Sequence, residues 1–487
     1  MADPLAVHDE SVAALARVAA EARDYLATLA DAPVRSAGSD DAAARFGGEL
    51  PEHGIGTLPA LEELLRDGIE AHVRSGGPRF FHWVIGGSTP AALAADWLAT
   101  LLDQNAGGWD ASPLAARLED VSIRWLLELF DLPDDWSGVL TTGATMANFT
   151  GLAAARQWWG EQQGVDVSEA GLAELPPMPV LSSRFIHVSA LKALAMLGVG
   201  RARVTDCSGA DGALEPYALE AALNGLEGRP AVVIANAGEV NAGQFEPIRQ
   251  VADVAHAHGA WLHVDGAFGL FARVSPRTAP LADGVELADS VISDGHKWLN
   301  VPFDCGFAFV RDPRYLRIPF AAGAAYLPEA EEGRPIFGFM GPELSRRARS
   351  LAVWATLRAY GREGYRAIVE RSLDNATHLV RLIEEADDLE LLLPAPLNIV
   401  FFRYRPPDVP EEELDELNLR IEEQILTDGR VYVGTTRWAG HVGFRPAFVN
   451  WRTTPADVEL LVETVRDLGS RMQSGRRGET QRSKTVR

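Results

Sequence analysis

The feature that most constrains the fold is a regular alternation of short β-rich runs with Ala-rich helical segments, which extends from Arg79 to about Arg311. The β-rich runs read SGVLTT, RFIHV, AVVIAN, AWLHVD, ADSVIS and CGFAFV. Alternation of this kind predicts an α/β fold with a mostly parallel sheet. Because ligands of such sheets bind at the carboxyl ends of the strands, we expect functional residues at those ends.

The segments that flank this region have other patterns. Before it, residues 11–30 and 58–75 show the apolar spacing of two helices. After Pro342 come two helical stretches, 343–361 and about 365–385, and then a strand–helix–strand–helix series. These patterns divide the chain into an N-terminal helical segment (1–77), a large α/β domain (78–372), a small α+β domain (373–471) and a polar, aperiodic tail expected to be disordered (472–487).

Composition argues against several classes of protein. The formal charge of −23 disfavours a nucleic-acid binder, and two cysteines provide neither a disulfide framework nor a Cys-rich zinc site. No apolar run reaches the roughly 18 residues of a membrane-spanning helix, and the N-terminus does not resemble a signal peptide. No HExxH motif is present, and His256 and His258 do not share a helix face, so no metal site is predicted. The starting expectation is a cytoplasmic enzyme or assembly protein.

Lysine is scarce, which narrows the search for a reactive amine. Only three of the 45 basic residues are lysines: Lys192, Lys297 and Lys484. Lys484 lies in the tail, and Lys192 lies within a predicted helix where a solvated amine is usual. Lys297 follows a β-rich run in SDGHKWLN, among apolar strands where lysine is rarely buried unless it is paired or functional. An amine in such surroundings is a candidate nucleophile toward an aldehyde.

A carboxylate occupies the end of another apolar strand. Asp265 closes AWLHVD, where a charge is costly without a partner, although it could simply cap the next turn. Asp265 and Lys297 stand 32 residues apart, at the ends of two successive strand-like runs. An Asp that bonds a pyridinium nitrogen and a Lys that bonds an aldehyde are the pair that pyridoxal phosphate requires.

A phosphate group would also need a binding loop. In LTTGATMANFTGLAAAR a strand ends at Gly143, Ala144 and Thr145 and a helix follows, so backbone N–H groups and a hydroxyl are available for an anion. Any helix N-terminus looks similar, so this signal is weak by itself. His187, at the end of RFIHV, could stack on a cofactor ring or be structural, and His296 beside Lys297 has the same ambiguity.

Taken in order, these segments resemble the group II pyridoxal-phosphate-dependent decarboxylases, which include the aromatic amino acid, glutamate and diaminobutyrate decarboxylases. The resemblance covers about residues 60–470. The matching motifs are GATMAN, His187 before a helix, NAGEVNAGQFEP, HVDGAFG and SDGHKWLNVPFDCG, with PRFFHW, SRRARSLAVW and FRPAFVNWRTT in support. It implies fold type I: a seven-stranded, mostly parallel sheet flanked by helices, and a small C-terminal α+β domain. It also implies a homodimer in which the N-terminal segment packs on the partner subunit.

The resemblance implies a role for each matching residue around the cofactor. Lys297 would form the internal aldimine, Asp265 would pair with the pyridine nitrogen, and His187 would stack on the ring. The other residues expected to contact the cofactor are Gly143, Ala144, Thr145, Asn241, Ala267, Asp294 and His296. The residues expected on the substrate side are Trp83, Val84, Gly86, Phe337 and Arg445, of which Arg445 matches a carboxylate-binding arginine of glutamate-decarboxylase-like members.

The implied reaction is decarboxylation of an L-amino acid to its amine through an external aldimine and a quinonoid carbanion. Many members of the family protonate that carbanion with a tyrosine on a mobile loop. The aligned part of this chain holds Phe337 and Phe339, and the nearest tyrosine is Tyr326. Tyr-to-Phe change there is associated with oxidative decarboxylation–deamination to an aldehyde. An alignment shift of the loop, with His187 or another acid supplying the proton, would also explain the difference.

Two further departures leave alternatives open. Asp294 would repel a phosphate, so we expect it to cap a backbone N–H group, and the DxHK pattern also occurs in carbon–carbon lyases related to sphingosine-phosphate lyase. Gly86 and Gly87 could make room for a bulky substrate or could form a tight turn.

Overall fold

The predicted strand–helix alternation forms one seven-stranded sheet in the computed structural model, which describes residues 10–321 and 333–485. Its strands are β1 Ser137–Thr141, β2 Val180–Ser182, β3 Val204–Asp206, β4 Val232–Asn236, β5 Trp261–Asp265, β6 Ser290–Asp294 and β7 Gly306–Val310. The order across the sheet is β1-β7-β6-β5-β4-β2-β3. Only β7 runs antiparallel to its neighbours, so the mostly parallel α/β fold is confirmed.

The register of the sheet brings the ends of the chemically important strands to one edge. Asp265 at the end of β5 pairs with Asn236 of β4 and Ile292 of β6. Gly306, the first residue of β7, pairs with Asp294 at the end of β6 and with Thr141 at the end of β1. This edge is the carboxyl edge at which open α/β sheets bind their ligands.

Helices cover both this sheet and a smaller one. They are α1 Glu10–Thr28, α2 Ser39–Ala43, α3 Thr57–Ala71, α4 Pro90–Leu102, α5 Pro113–Leu129, α6 Ala144–Gln162, α7 Val167–Ala170, α8 Val188–Met196, α9 Pro216–Asn224, α10 Ile248–Ala257, α11 Arg314–Arg317, α12 Ser350–Glu384, α13 Glu411–Asp428 and α14 Pro455–Thr485. Helices α4 and α5 each begin with a side-chain cap. Thr89 and Ser112 cap α4 and α5, and a proline follows each cap.

The C-terminal part builds a second, antiparallel sheet with its own core. Its strands are β8 Leu389–Leu391, β9 Phe402–Tyr404, β10 Thr435–Trp438 and β11 His441–Phe444, in the order β10-β11-β9-β8. Apolar side chains of α13, α14 and the second half of α12 pack on this sheet. The predicted small α+β domain is therefore present. None of the helices in the described ranges is long and apolar enough to cross a membrane.

Several local predictions were wrong. RFIHV is not a strand: β2 ends before it, and His187 instead caps helix α8. The helix predicted from 343 begins only at Ser350, although the predicted break between the two helical stretches is confirmed at Gly361, where φ is 59°. The last helix continues to Thr485, through most of the segment for which we expected disorder. Extending a packed helix requires no new nucleation, so a polar sequence can follow it.

Candidate active site

Lys297 lies in the turn that follows β6, at the carboxyl edge of the large sheet. Its side chain is 16% exposed, and its Nζ lies 3.9 Å from Oδ2 of Asp294 and 5.9 Å from the centre of the Phe268 ring. Lys192 is exposed on α8, as its helical context predicts. Of these two lysines, only Lys297 lies at the ligand-binding edge of the sheet.

Asp265 is buried at the end of the neighbouring strand and accepts two hydrogen bonds. Its Oδ1 accepts from the backbone N–H of Ala267 at 3.1 Å, and its Oδ2 accepts from Nδ2 of Asn148 at 2.9 Å. Asp265 therefore caps the turn that follows it, as one interpretation of the sequence predicted. It uses one carboxylate oxygen, while the other is oriented by helix α6.

His187 joins this group from the N-terminus of α8. Its Nδ1 accepts from the backbone N–H of Ser189 at 3.2 Å and lies 2.7 Å from the Ser189 hydroxyl. Burial lowers the pKa of His187; Asp265 opposes this shift, whereas Lys297 and Arg445 reinforce it. A neutral imidazole thus lies close enough to Asp265, Lys297 and Arg445 for their charges to influence its pKa.

The N-terminus of α6 faces the turn that carries Lys297. Gly143 has a φ of +104°, and a Cβ built on it would lie 3.3 Å from Cε1 of His296. Oδ2 of Asp294 accepts the backbone N–H of Ala144 at 3.2 Å, which is the capping role expected for this carboxylate. Because Asp294 takes the Ala144 N–H group, Thr145 supplies the backbone N–H and hydroxyl that remain for an anion here.

Two polar atoms near this loop lack hydrogen-bond partners within the described part of the chain. They are Oδ1 of Asp294 and Nδ1 of His296, which lie 2.9 Å apart but are not aligned for a hydrogen bond. The His296 ring also stacks on Phe303, with ring centres 4.1 Å apart. The imidazole and the carboxylate are therefore held against each other beside the N-terminus of α6.

Asn241 and Ala267 lie on either side of the strand ends. Asn241 donates from its backbone and side chain to Glu239 at 2.7 and 3.1 Å, and its Oδ1 accepts from Thr436 at 2.9 Å. It therefore ties the large sheet to β10 of the small one. Ala267 is partly buried beside Asp265 and presents only a methyl group, which suits packing against a flat ring.

The segment 83–87 contacts the Lys297 turn through its backbone. The N–H of Gly86 donates to the His296 carbonyl at 3.0 Å, and a Cβ on Gly86 would lie 1.7 Å from the Lys297 carbonyl oxygen. Gly87 has a φ of +69°, and a Cβ there would lie 2.9 Å from Asn450. Both glycines are thus explained by close backbone packing, which supports the tight-turn interpretation over extra room for a substrate.

Two of the residues expected near the substrate, Trp83 and Val84, differ in their exposure to solvent. Trp83 is 59% exposed and adopts a left-handed φ of 53°. That conformation is unusual for a bulky residue. Val84 is buried in the core of the large sheet. Of these two side chains, only the Trp83 indole is open to a ligand.

Arg445 contacts the backbone of Trp83. Its Nη2 donates to the Trp83 carbonyl at 3.0 Å, while its Nε is buried with no partner among the described residues. Burial lowers the pKa of Arg445 to about 10, and Glu239 opposes this shift. The guanidinium therefore stays charged at neutral pH and keeps unused donors, as a binding site for a carboxylate would require.

Phe337 occupies a position that the sequence did not predict. Its ring is 3% exposed in the core of the large sheet, and the Arg346 guanidinium lies 5.7 Å from its centre. Arg346 itself forms a buried ion pair with Glu119. Phe337 is therefore a core residue rather than a residue on a substrate-facing loop. Tyr326 lies outside the described residues.

Sequence reasoning missed Asn148 and His263, which are both fully buried behind Asp265. Nε2 of His263 lies 2.9 Å from Oδ1 of Asn148. A signal was present, because His263 stands two residues before Asp265 and so shares its strand face. Asn148 likewise interrupts an Ala-rich helix directly after the glycine loop.

The arrangement fits the cofactor that the resemblance implies. A primary amine, a buried carboxylate and a neutral imidazole lie near one another at one sheet edge, and the N-terminus of α6 lies beside them with donors for a phosphate. These are the groups that pyridoxal phosphate needs for its aldehyde, its ring nitrogen, its ring face and its phosphate.

Comparison with known proteins gives the family. The pyridoxal-dependent decarboxylase conserved domain matches residues 50–405. The aromatic-L-amino-acid decarboxylase of Bacillus atrophaeus is 29% identical over 429 residues, which are 86% of this chain and 87% of that protein. The L-2,4-diaminobutyrate decarboxylase of Rhizobium meliloti (strain 1021) is 32% identical over 435 residues, which are 87% of this chain and 84% of that protein.

A solved structure agrees over almost the whole chain. The crystal structure of Oryza sativa TDC with PLP and tryptamine superposes with a TM-score of 0.88 at 25% identity, and the match covers 97% of this chain and 100% of that one. Fold, site chemistry and sequence similarity thus lead to one conclusion: the chain belongs to the pyridoxal-dependent decarboxylases, and it is a PLP-dependent carboxy-lyase.

Proposed function

We propose that this protein decarboxylates an L-amino acid to the corresponding amine, with Lys297 holding the cofactor. The observation that carries the proposal is the convergence of Lys297, Asp265 and His187 at the carboxyl edge of the large sheet. Relatives that act on aromatic amino acids and on diaminobutyrate support the reaction class, and both are decarboxylases by name.

Each side chain contributes a distinct step. Bound PLP supplies an electron sink for the pair released when the substrate carboxylate leaves as carbon dioxide. Asp265 would accept a hydrogen bond from the protonated ring nitrogen, Thr145 would donate to the phosphate, and His187 would lie against the ring as a neutral imidazole. Lys297 would hold the cofactor through its side-chain amine, which lies at the carboxyl edge of the sheet.

We propose that Arg445 binds a carboxylate of the substrate. Its support is the buried, charged guanidinium with an unpartnered Nε, which adjoins the exposed Trp83 through a hydrogen bond. A carboxylate that meets this group forms a charge-assisted bond in a site sheltered from water, where such bonds are strongest.

We propose that His187, or another acid at this edge of the sheet, protonates the product carbon. Phe337, which has no hydroxyl, packs in the core near Arg346 of the same chain. Its burial supports the amine over the aldehyde, and the product analysis described below distinguishes the two. The amine is the product we propose.

The active form is proposed to be a homodimer in which the N-terminal segment covers a partner. Helix α1 has no buried residue, although it carries Val12, Leu15 and Leu26 on its surface. Helix α4 exposes a second set of large apolar side chains, namely Trp97, Leu98, Leu101 and Leu102. Exposed apolar surface of this kind marks interaction sites. Sedimentation equilibrium at micromolar protein tests this, and a monomer would reject it.

Product profiling tests the proposed reaction. The holoenzyme is incubated with a panel of aromatic, acidic and diamino L-amino acids, and amine, aldehyde, carbon dioxide and oxygen are measured together. We expect amine and carbon dioxide in equal amounts with no oxygen uptake. Aldehyde with oxygen uptake would show the oxidative reaction instead. A His187→Gln variant serves as the comparison, because loss of the proposed acid should raise the share of aldehyde.

A further inference from the structure

The strand that ends in Asp265 carries three side chains with polar groups on one face, although both faces are buried. Trp261, His263 and Asp265 alternate along β5, so they project to the same side of the sheet. Each is at most 4% exposed. Buried polar groups are costly unless they are bonded, so their partners define what the set does.

Asn148 of helix α6 joins two of these side chains. Its Nδ2 lies 2.9 Å from Oδ2 of Asp265, and its Oδ1 lies 2.9 Å from Nε2 of His263. A carboxylate only accepts hydrogen bonds, so the amide nitrogen faces Asp265 and the amide oxygen faces His263. An amide oxygen also only accepts, and His263 therefore carries a proton on Nε2.

The other nitrogen of the imidazole then acts as an acceptor. Burial lowers the pKa of His263 to about 4, so the ring is neutral near pH 7 and its Nδ1 needs a donor. The Ser290 hydroxyl lies 2.8 Å from this nitrogen, and Ser290 Oγ in turn accepts from Nε1 of Trp261 at 3.0 Å. The donors thus run in one direction, from Trp261 through Ser290 and His263 to Asn148 and Asp265.

A branch of the same network reaches His187. Nδ2 of Asn148 also lies 3.0 Å from Oγ of Ser189, which lies 2.7 Å from Nδ1 of His187. Because Ser189 accepts from the amide, its hydroxyl proton is free to bond His187, and its backbone N–H donates to the same ring nitrogen. Nδ1 of His187 is therefore an acceptor, and a neutral His187 carries its proton on Nε2.

We propose that Asn148 and His263 are positioning residues for the cofactor ring. They hold the Asp265 carboxylate as an acceptor opposite the ring nitrogen, and Asn148 also sets the tautomer of His187. The inference rests on the proposed function, in which Asp265 pairs with that nitrogen. Neither residue contacts the reacting atoms, and each acts through Asp265 or His187.

A glycine one turn along α6 seats the imidazole in this network. A Cβ built on Gly151 would lie 2.7 Å from Cε1 and 3.0 Å from Nδ1 of His263, closer than packed carbon atoms allow. Asn148 and Gly151 lie three residues apart and therefore face the same strand. The helix thus presents both the bonding amide and the space that the ring requires.

The test compares three variants of the dimeric holoenzyme. His263→Leu removes the donor to Asn148, His263→Gln replaces it with an amide N–H, and Asp265→Asn is the reference for loss of the ring-nitrogen contact. The two readouts are the visible absorption spectrum of the bound cofactor and the Kd for PLP, measured by titrating the apo protein. Thermal unfolding of each apo protein shows whether the variant folds.

The proposal predicts a graded result. In His263→Leu the absorption band shifts in the direction seen for Asp265→Asn, and the Kd for PLP rises about tenfold, because the Asn148 amide oxygen is left buried without its donor. His263→Gln returns both readouts toward the wild type. If His263→Leu does not fold, Ser290→Ala takes its place, with a smaller change in the same direction.

The role of Asp265 and the positioning role of His263 and Asn148 would be rejected by different results. An unchanged spectrum and Kd in Asp265→Asn would reject the proposed role of Asp265 and, with it, part of the proposed function. Altered readouts in Asp265→Asn together with unchanged readouts in a folded His263→Leu or Ser290→Ala would overturn only the positioning network.

Discussion

Gly86 lies so close to Lys297 that no side chain fits between them: a Cβ on Gly86 would be 1.7 Å from the Lys297 carbonyl oxygen. The same glycine donates its N–H to the carbonyl of His296. The backbone at position 86 thus fixes the turn from which the reactive amine projects.

A Gly86→Ala substitution should therefore displace the Lys297 turn. We expect the Kd for PLP to rise about 5- to 150-fold, since overpacking of a fixed backbone contact costs about 1–3 kcal/mol. Gly76→Ala is the matched control, because a Cβ there meets nothing within 4 Å. Titration of the two apo proteins with PLP makes the comparison. Equal affinities would show that the contact between Gly86 and Lys297 does not matter.

The buried ion pair near the loop that begins at Gly143 gives a prediction about stability. Arg346 bonds both oxygens of Glu119 at 2.7 and 3.0 Å and also the Leu140 carbonyl, just before the loop that begins at Gly143. Arg346→Met leaves the Glu119 charge buried without its partner. We expect a loss of about 3–5 kcal/mol in the free energy of unfolding.

The adjacent arginine provides the control for that measurement. Arg347 bonds Asp96 on the surface, with 38% of its side chain exposed. Arg347→Met should cost at most about 1 kcal/mol. Urea unfolding of the apo proteins measures both values. Similar losses in the two variants would contradict the assignment of a structural role to the Arg346–Glu119 pair.

The contacts of Gly86 with Lys297 and of Arg346 with Glu119 join residues that are distant in the chain, so they could not be predicted from the sequence. The strand–helix alternation predicted the large sheet, and Asp265 and Lys297 fell at the strand ends where they were expected. Short strands such as β3 and β10 were missed because their side chains are half exposed and show no apolar run. RFIHV has a strand-like composition, but its backbone turns away after β2.

The candidate site was predictable only where its residues stand in ordered motifs. Asn148 and His263 were passed over because each lies inside an element that otherwise belongs to the core. Phe337 was assigned to a loop because sequence distance alone does not show that Arg346 covers it. Pairwise geometry of this kind arises when distant segments pack, so it cannot be derived from local patterns.

Burial of His263 should make stability depend on pH. Its pKa in the folded protein is about 4, below the ordinary value of 6.5, so the unfolded chain binds a proton between these values while the folded chain does not. The contribution is complete above pH 6.5 and is lost as the pH falls toward 4. Between pH 7 and pH 5 it should decrease by about 2 kcal/mol.

The variant His263→Gln cannot titrate and isolates this effect. Urea unfolding of the apo wild type and of His263→Gln at both pH values gives the difference. We expect the wild type to lose more stability than the variant as the pH is lowered. An equal loss in the two proteins would show that His263 is not held neutral in the folded state.

Arg445 should act mainly on substrate binding. Arg445→Met removes a charged donor from a sheltered position, and we expect kcat/KM to fall about 10- to 100-fold, chiefly through KM. Arg452→Met is the matched control, because Arg452 also donates to a backbone carbonyl of the neighbouring segment, that of Ser88. Steady-state kinetics with the preferred amino acid decides the question. An unchanged KM in Arg445→Met would remove Arg445 from the substrate site.

The position at which borohydride fixes PLP to the protein tests the central claim most directly. The reduced holoenzyme is digested and its peptides are analysed by mass spectrometry, which is simple because the chain has only three lysines. We predict that Lys297 carries the cofactor, that Lys192 and Lys484 are unmodified, and that Lys297→Ala is colourless and inactive. Attachment at Lys192 or Lys484, or a Lys297→Ala variant with full activity, would contradict the account.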